Sequence, residues 1–304
     1  MRILNIGSTN IDLVFSVDHI VAPGETIASS SLTRSTGGKG ANQSVALAKA
    51  GGLDVYHGGL VGPDGSWIKE KLADYGVNTS LMEERNIPTG QALIQVDKKG
   101  ENSIVLFSGA NKAFTKEHVD ALLNHFEPGD WLVLQNEINM LDYCILAAKK
   151  KGLLTCFNPA PFEDQIKELA LDQIDLLVLN EIEAQGLGGF EDPMDSLKIL
   201  TQQYKDTAIV LTLGDKGAIY GKGESQRFFI GAWDVPVIDT TAAGDTFIGY
   251  FLATFAKSTS VEKALYQGSR AAAVTVMREG AMDSIPSPKE LDILESYTLR
   301  PFLK

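Results

Sequence analysis

Cysteine is almost absent from this 304-residue chain: only Cys144 and Cys156 occur, and no C-x-x-C pair. That disfavours a disulfide framework and a cysteine zinc site, and it makes a reducing compartment the default. The four histidines, His19, His57, His118 and His125, show neither metal-ligand spacing nor a Ser-His-Asp arrangement. Basic residues are in deficit: 27 Lys and Arg stand against 39 Asp and Glu, a net charge of −12. So acidic a chain is a poor partner for nucleic acid or an anionic membrane, although local amides and metal ions can still hold a nucleotide. No apolar run reaches the ~18 residues of a membrane-spanning helix. The first strand-like run, Ile3 to Ile6, begins at once, without the basic stretch and apolar core of a signal peptide. A soluble, cytoplasmic protein is the expectation. Gly7-Ser8-Thr9-Asn10 lacks the later glycines of G-x-G-x-x-G, which counts against a nicotinamide or flavin enzyme. Low-complexity segments and internal repeats are lacking too.

The length allows one large α/β domain, or a domain carrying a smaller attachment. Apolar β-rich runs alternate with helical patterns along most of the chain. Strands are expected at Ile3–Ile6, Trp131–Gln135, Leu153–Phe157, Leu176–Leu179 and Ile209–Leu213. Helices are expected at Ala41–Ala50, Ser66–Tyr75, Leu141–Lys151, Met194–Tyr204 and Ala264–Met277. Such alternation predicts an α/β fold, a mainly parallel sheet covered by helices. Two stretches depart from it. Ile11 to Arg34 is extended in character, with Pro23-Gly24 as a turn, and Gln91 to Phe107 reads as strands Ala92–Val96 and Ser103–Phe107 around Lys98-Lys99-Gly100-Glu101. A small sheet built from both would cover the open edge of the main sheet as a lid. The expected division is a large domain of residues 1–9, 38–90 and 108–304 and a β lid of residues 10–37 and 91–107. Open α/β sheets bind ligands at the carboxyl ends of their strands. Glu137, Asn158, Asn180, Gly214 and the segment from Asp239 to Asp245 all follow expected strands.

The most informative segment is Asp239-Thr240-Thr241-Ala242-Ala243-Gly244-Asp245-Thr246-Phe247-Ile248. It follows Val235 to Ile238, a β-branched run that reads as a strand end. Phe247, Ile248, Phe251, Leu252 and Phe255 then recur at helical spacing. Small residues at a helix N-terminus leave N–H groups approachable, and such a turn attracts phosphate. Asp245 adds a carboxylate to that anion site. Like charges repel, so the placement suits a base that takes a proton from a hydroxyl attacking a phosphoryl group. A simple helix cap is the alternative.

Other clusters also carry two readings. Asn10 and Asp12 share one face of an extended segment and together offer donors and acceptors to vicinal hydroxyls; an Asx turn also explains them. Gly37-Gly38-Lys39-Gly40-Ala41-Asn42-Gln43 allows close backbone approach, with Lys39 and Asn42 three apart where a helix begins. It lacks the P-loop spacing, and a plain glycine-rich turn is its alternative. Asn180 and Glu183, three apart in an opening helix turn, suit either one carboxylate of a Mg²⁺ site or an N-cap. Thr212-Leu213-Gly214-Asp215-Lys216-Gly217 reads as a hairpin-like turn between short strands.

Together, and in this order, these segments resemble the ribokinase/phosphofructokinase-B family of carbohydrate kinases over essentially the whole chain. The motifs beginning at Gly37 and at Asp239 are the most specific. Asn10-Ile11-Asp12, Pro23-Gly24-Glu25-Thr26, Gly109-Ala110-Asn111, Asn158-Pro159-Ala160-Pro161 and Asn180-Glu181-Ile182-Glu183 support them. The resemblance implies a nine-stranded or similar central sheet with a small β lid, and ATP-dependent phosphorylation of a sugar's primary hydroxyl. It makes Asp245 the base, with the amides of Ala242, Ala243 and Gly244 holding the transferring phosphoryl charge. By the same analogy Asn10, Asp12, Gly38, Lys39, Asn42 and Glu137 hold the sugar. Asn180, Thr212, Gly214, Gly217 and Gly244 would lie along ATP, and Glu183 would reach Mg²⁺ through water. A K⁺ site is implied at Asp239, Thr241, Thr275, Arg278, Gly280 and Ser284, mostly through carbonyls. Met282-Asp283 departs there from the Pro-containing form of the family. The Ala-Ala-Gly-Asp form of the anion-site motif points to D-ribose, phosphorylated at its 5-hydroxyl. The alternatives are 2-deoxyribose, fructose, a nucleoside such as adenosine, or a non-catalytic sugar sensor. A nucleoside would need an apolar pocket beside the sugar, and the lid segments reveal none. The family further implies a homodimer through the lids, because so small a sheet with an apolar face is marginal alone.

Overall fold

The computed structural model describes residues 1–302. The chain begins with β1 (Arg2–Ile6), β2 (Asn10–Ser16), β3 (Ser31–Gly37), α1 (Lys39–Ala50), β4 (Asp54–His57), β5 (Leu60–Val61), α2 (Ile68–Asp74) and β6 (Glu83–Glu84). It continues with β7 (Gly90–Val96), β8 (Asn102–Phe107), α3 (Lys116–Leu123), β9 (Trp131–Gln135), α4 (Leu141–Lys151), β10 (Leu154–Asn158), β11 (Leu176–Leu179), α5 (Glu181–Gly188) and α6 (Pro193–Gln203). The last elements are β12 (Ala208–Thr212), β13 (Ala218–Lys222), β14 (Gln226–Ile230), α7 (Ala243–Ser258) and α8 (Val261–Val276).

Eight strands form the main sheet in the order β14-β13-β12-β11-β10-β9-β1-β4, in keeping with the nine-stranded or similar sheet expected. The six from β12 to β4 run parallel, and β13 and β14 add an antiparallel edge. Helices cover both faces, so the central strands must be apolar on both sides. Every residue of β9 and β11 is accordingly buried. Leu4, Leu132 and Leu134 pack with Val119, Cys144 and Ile145 on one face, while Ile3, Val133 and Cys156 pack with Leu47 and Phe251 on the other. The expected bounds of β9, β11 and α4 coincide with those observed, and the other expected elements shift by one to three residues.

One expected strand does not form. Val235 to Ile238 belongs to no sheet, and Val237 and Ile238 are exposed. Pro236 lacks the N–H that a ladder needs. The segment is tied down instead where Ile238 N–H donates to the Val276 carbonyl at 2.7 Å.

The second sheet has the order β3-β2-β7-β8. β2 pairs antiparallel with β3 and parallel with β7, and β7 pairs antiparallel with β8. The register sets Asp12 beside Ala92, and Ala92 beside Leu106, on one face. On the edge strands Leu32, Ile104, Val105, Leu106 and Phe107 are exposed. The site is fixed by a close helix crossing. A Cβ at Gly249 of α7 would lie 2.3 Å from Ala46 Cβ of α1, so only glycine lets the two helices meet there.

Candidate active site

A cleft of about 550 Å³ opens between the small sheet and the carboxyl ends of the main strands. Asn10, Asp12, Gly38, Lys39, Asn42, Glu137, Asn180, Glu183, Thr212, Ala242, Gly244 and Asp245 all line it. Residues from both ends of the chain thus converge as the open-sheet rule requires.

Local backbone geometry explains the placement. Gly38, at φ +93°, turns the chain from β3 into α1. A Cβ on Gly37 would meet the Asp12 carboxylate at 2.0 Å, so that glycine is what leaves the carboxylate its space. Asn111 Nδ2 donates to Asn10 Oδ1 at 2.7 Å, which turns the Asn10 amide nitrogen away from Asn111. Glu137 accepts from the Lys39 backbone N–H at 3.0 Å and from the Ser8 hydroxyl. Asn42 Oδ1 is buried without a hydrogen-bond partner, although its side chain faces the cleft. A buried acceptor without a partner is costly, and a ligand hydroxyl would satisfy it.

The charges are mutually dependent. Burial pulls the Lys39 ammonium down, but Asp245, Glu137 and Glu183 outweigh it and raise its pKa above the usual lysine value. Burial and the Glu137 charge push Asp12 up to about 7. Burial also raises Asp245, against the opposing pull of Lys39, Gln43 and Asn42. Asn42 Nδ2 donates to its Oδ2 at 3.1 Å and Gln43 Nε2 to its Oδ1 at 3.0 Å. Asp245 stands in the first turn of α7, where N–H groups lack partners one turn back. The Ala243 amide is turned to the Thr240 carbonyl at 3.2 Å. Ala242, the N-cap, is left-handed at φ +60°, a strained setting for any residue with a Cβ.

A second cavity, of about 330 Å³, adjoins the first. The two share Thr212, Thr240 and Gly244, and Gly214 and Gly217 line only the second. The Thr212–Gly217 segment is the expected turn, joining antiparallel β12 and β13.

Asn180 and Glu183 form a capping box: Asn180 Oδ1 accepts from Glu183 N–H at 2.9 Å, and Glu183 Oε2 from Asn180 N–H at 2.8 Å. The cap reading of this pair is therefore realised, and Glu183 faces the cleft as well. Burial raises the Glu183 pKa despite its donors.

Asp239 draws two loops together, accepting from Thr241 N–H at 2.8 Å and from Gly280 N–H at 2.9 Å. Burial pushes Asp239 up, but these donors prevail and its pKa is lowered. The side chains of Thr275, Arg278 and Ser284 are committed elsewhere, to Thr246 and Ala271, to Glu290, and to Ala281. A cation between these loops would thus rely on backbone carbonyls and Asp239.

The pfkB family carbohydrate kinase model matches residues 2–288. The chain belongs to that family. It is 37% identical over 300 residues to the ribokinase of Haemophilus influenzae, covering 95% of this chain and 97% of that protein. It is 30% identical over 310 residues to the deoxyribokinase of Salmonella typhi, covering 96% and 98% respectively. The structure of Arabidopsis thaliana ribokinase complexed with ribose and ATP superposes with a TM-score of 0.84 at 28% identity, covering 98% of this chain and 99% of that one.

Several site residues of this pfkB kinase carry no motif. Ala92, Ile94, Ile104 and Leu106 give the cleft an apolar wall from the small sheet. The second cavity is walled by Trp233, Val235, Val237, Phe247, Ala273 and Val276. Their apolar character looks like ordinary core pattern, and only the eventual exposure of Val237 marks it as different. Gln43 and Gln135 sit inside recognisable segments, yet nothing in their spacing announces that they meet.

Proposed function

We propose that this chain transfers the γ-phosphoryl group of ATP to the 5-hydroxyl of D-ribose, giving ribose 5-phosphate and ADP. The observation that carries the reading is the meeting of two cavities at Gly244 and Thr240, with the Asp245 carboxylate on the polar side of the junction. Ribose occupies the polar cleft, where Asn10, Asp12, Lys39, Asn42 and Glu137 offer donors and acceptors to its hydroxyls. ATP lies in the second cavity, its base against the apolar wall and its phosphates towards Gly244 and the N-terminus of α7. As the 5-oxygen attacks in line, Asp245 takes its proton, the new O–P bond forms, and the bond from the γ-phosphorus to the leaving ADP oxygen breaks. The amides of Ala242 and Gly244 stabilise the charge on the transferring group, that of Ala243 being held by the Thr240 carbonyl in this structure, and Lys39 offsets the neighbouring carboxylates. The small sheet acts as a lid over residues 1–9, 38–90 and 108–304, excluding water on closure.

Glu183 would hold Mg²⁺ through water, with the phosphates supplying the other ligands; both of its hydrogen bonds fall on Oε2. Bound there, the ion neutralises phosphate charge. K⁺ would sit between the loops tied by Asp239 and support the adjoining anion site. The exposed Leu32, Val105 and Phe107, on the face of the small sheet away from the cleft, fit a homodimer made through the lids. Two buried, unpaired thiols fit a cytoplasmic protein.

Coupled ADP release with MgATP, run with ribose, 2-deoxyribose, fructose and adenosine in KCl and in NaCl, tests the reading. Turnover greatest on ribose and lowered without K⁺ is expected. Preference for another acceptor would overturn the substrate, and absence of turnover on all four would leave a sugar sensor.

A further inference from the structure

Behind the cleft lies a set of buried amide side chains for which the proposed reaction gives no role. Gln43 is fully buried and is not part of the cleft wall. Its Nε2 donates to Asp245 Oδ1 at 3.0 Å and to Asn158 Oδ1 at 3.3 Å, and its Oε1 accepts from Gln135 Nε2 at 2.7 Å. Gln135 Nε2 also donates to Asn5 Oδ1 at 3.1 Å, and Asn5 Nδ2 donates to the Gly40 carbonyl at 2.8 Å.

The direction of this chain is dictated at its ends. The Gly40 carbonyl can only accept, so Asn5 gives it the NH₂ group and turns its oxygen to Gln135. Gln135 must then show its NH₂ to Asn5 and Gln43, which leaves Gln43 with its own NH₂ facing Asp245. A second anchor agrees. Asn158 Nδ2 donates to the Val178 carbonyl at 3.0 Å, so Asn158 can offer Gln43 only its oxygen. A backbone carbonyl in the first turn of α1 and another on β11 thus enforce the same orientation. Gln135 Oε1 is left buried without a partner, and the two backbone carbonyls that accept from Asn5 and Asn158 keep the arrangement from flipping.

We propose that Gln43 is a positioning residue for the base: oriented by Gln135 and Asn158, it pins Oδ1 of Asp245 so that Oδ2, shared with Asn42 at the cleft wall, meets the substrate hydroxyl. This rests on the reading of Asp245 as the base of sugar phosphorylation. Lys39, Glu137 and Glu183 are the other charges that act on Asp245, and Asp12 stands next to Glu137. Gln43 and Asn42 are the neutral donors to Asp245, and both favour the ionised carboxylate.

The test compares wild type with Gln43→Met and Gln135→Glu. Met keeps the length of the side chain without a donor. Glu at 135 keeps the shape but removes the donor, so its carboxylate opposes Gln43 Oε1, and Gln43 is no longer held against Asp245 from that side. In Gln43→Met, kcat is expected to fall about tenfold or more, with the KM values for sugar and ATP within about threefold. Gln135→Glu should be at least as slow despite its closer shape. In both, the acid limb of the kcat profile should move to higher pH, because ionised Asp245 has lost a donor. An unchanged kcat in folded Gln43→Met, or an unmoved acid limb, overturns the positioning role. So does loss of cooperative thermal unfolding in both variants, which would make the amides structural only. If wild type itself shows no sugar-dependent ADP release, it is the functional reading that fails.

Discussion

The two cavities that meet at Gly244 are built from opposite materials. The polar cleft gathers Asp12, Glu137, Glu183 and Asp245 around Lys39, and most of these groups are held by other side chains or by backbone N–H. The second cavity is walled by Trp233, Val237, Phe247, Ala273 and Val276, with glycines at Gly214 and Gly217. Hydroxyls demand directional partners, and a buried charge left without one is expensive. A flat base asks mainly for contact area, and phosphates for backbone N–H groups. One half of the site is therefore specified by side-chain identity, the other by shape.

The severest way to break that contrast is to remove the group at the junction. Asp245→Asn should lower kcat by roughly 10² or more while the thermal midpoint is kept or raised. A rise follows from discharging a buried carboxyl, whose pKa burial already raises. Near-normal turnover of the variant would remove Asp245 from the role of base. Next, the halves should fail differently. Lys39→Ala should raise the sugar KM about tenfold and leave the ATP KM nearly unchanged. Ala273→Leu, which fills the apolar cavity, should do the reverse by several-fold. Steady-state kinetics with each substrate varied separately checks both, and a shared effect on the two KM values would dissolve the distinction.

The same contrast explains what was legible in the sequence. Gly37 to Asn42, Asn10, Asp12 and Asp245 announce themselves because unusual residue types stand where ordinary packing has no use for them. The parallel sheet was legible because strands buried on both faces require unbroken apolar runs, as β9 and β11 have. The apolar cavity was not, since Val235 and Val237 look like any strand. Only the pairing of neighbours shows that Pro236 leaves them outside the sheet. Nor was the lid's wall, because Ala92, Ile94, Ile104 and Leu106 acquire one common face only when β7 and β8 find their register. The eighth and last strand of the sheet, β14, follows a hairpin whose length the turn chemistry alone did not fix.

A smaller effect sharpens the polar half. With Asp12 pushed up to about 7, its carboxylate is ionised above that pH and protonated below it. Sugar hydroxyls lose an acceptor as the proton arrives, so kcat/KM for ribose should fall roughly fourfold from pH 8 to 6.5. Asp12→Asn should abolish that limb at the expense of a lower plateau. For stability the sign is opposite. A folded pKa above the unfolded 3.8 means that Asp12 favours the folded state below that value, and the contribution is lost as pH rises through about 7. Urea midpoints of wild type and Asp12→Asn across pH 4 to 8 separate the two effects. If the midpoints run parallel, Asp12 does not titrate in that window.

The smallest effect tests whether the junction itself stores strain. Ala242 holds φ +60° at the N-cap of α7, where its Cβ crowds the backbone. Glycine adopts that conformation freely, yet it also gains entropy in the unfolded chain. Ala242→Gly should therefore shift stability by only about 1 kcal/mol, and in the stabilising direction if relief of strain outweighs the added freedom. Its kcat should stay within about twofold, because the amide direction is set by the turn and not by the methyl group. A clear loss of stability would mean that the methyl group is packed against the junction. The alanine would then belong to the side-chain half of the site, and the boundary between the two halves would move one residue towards the nucleotide.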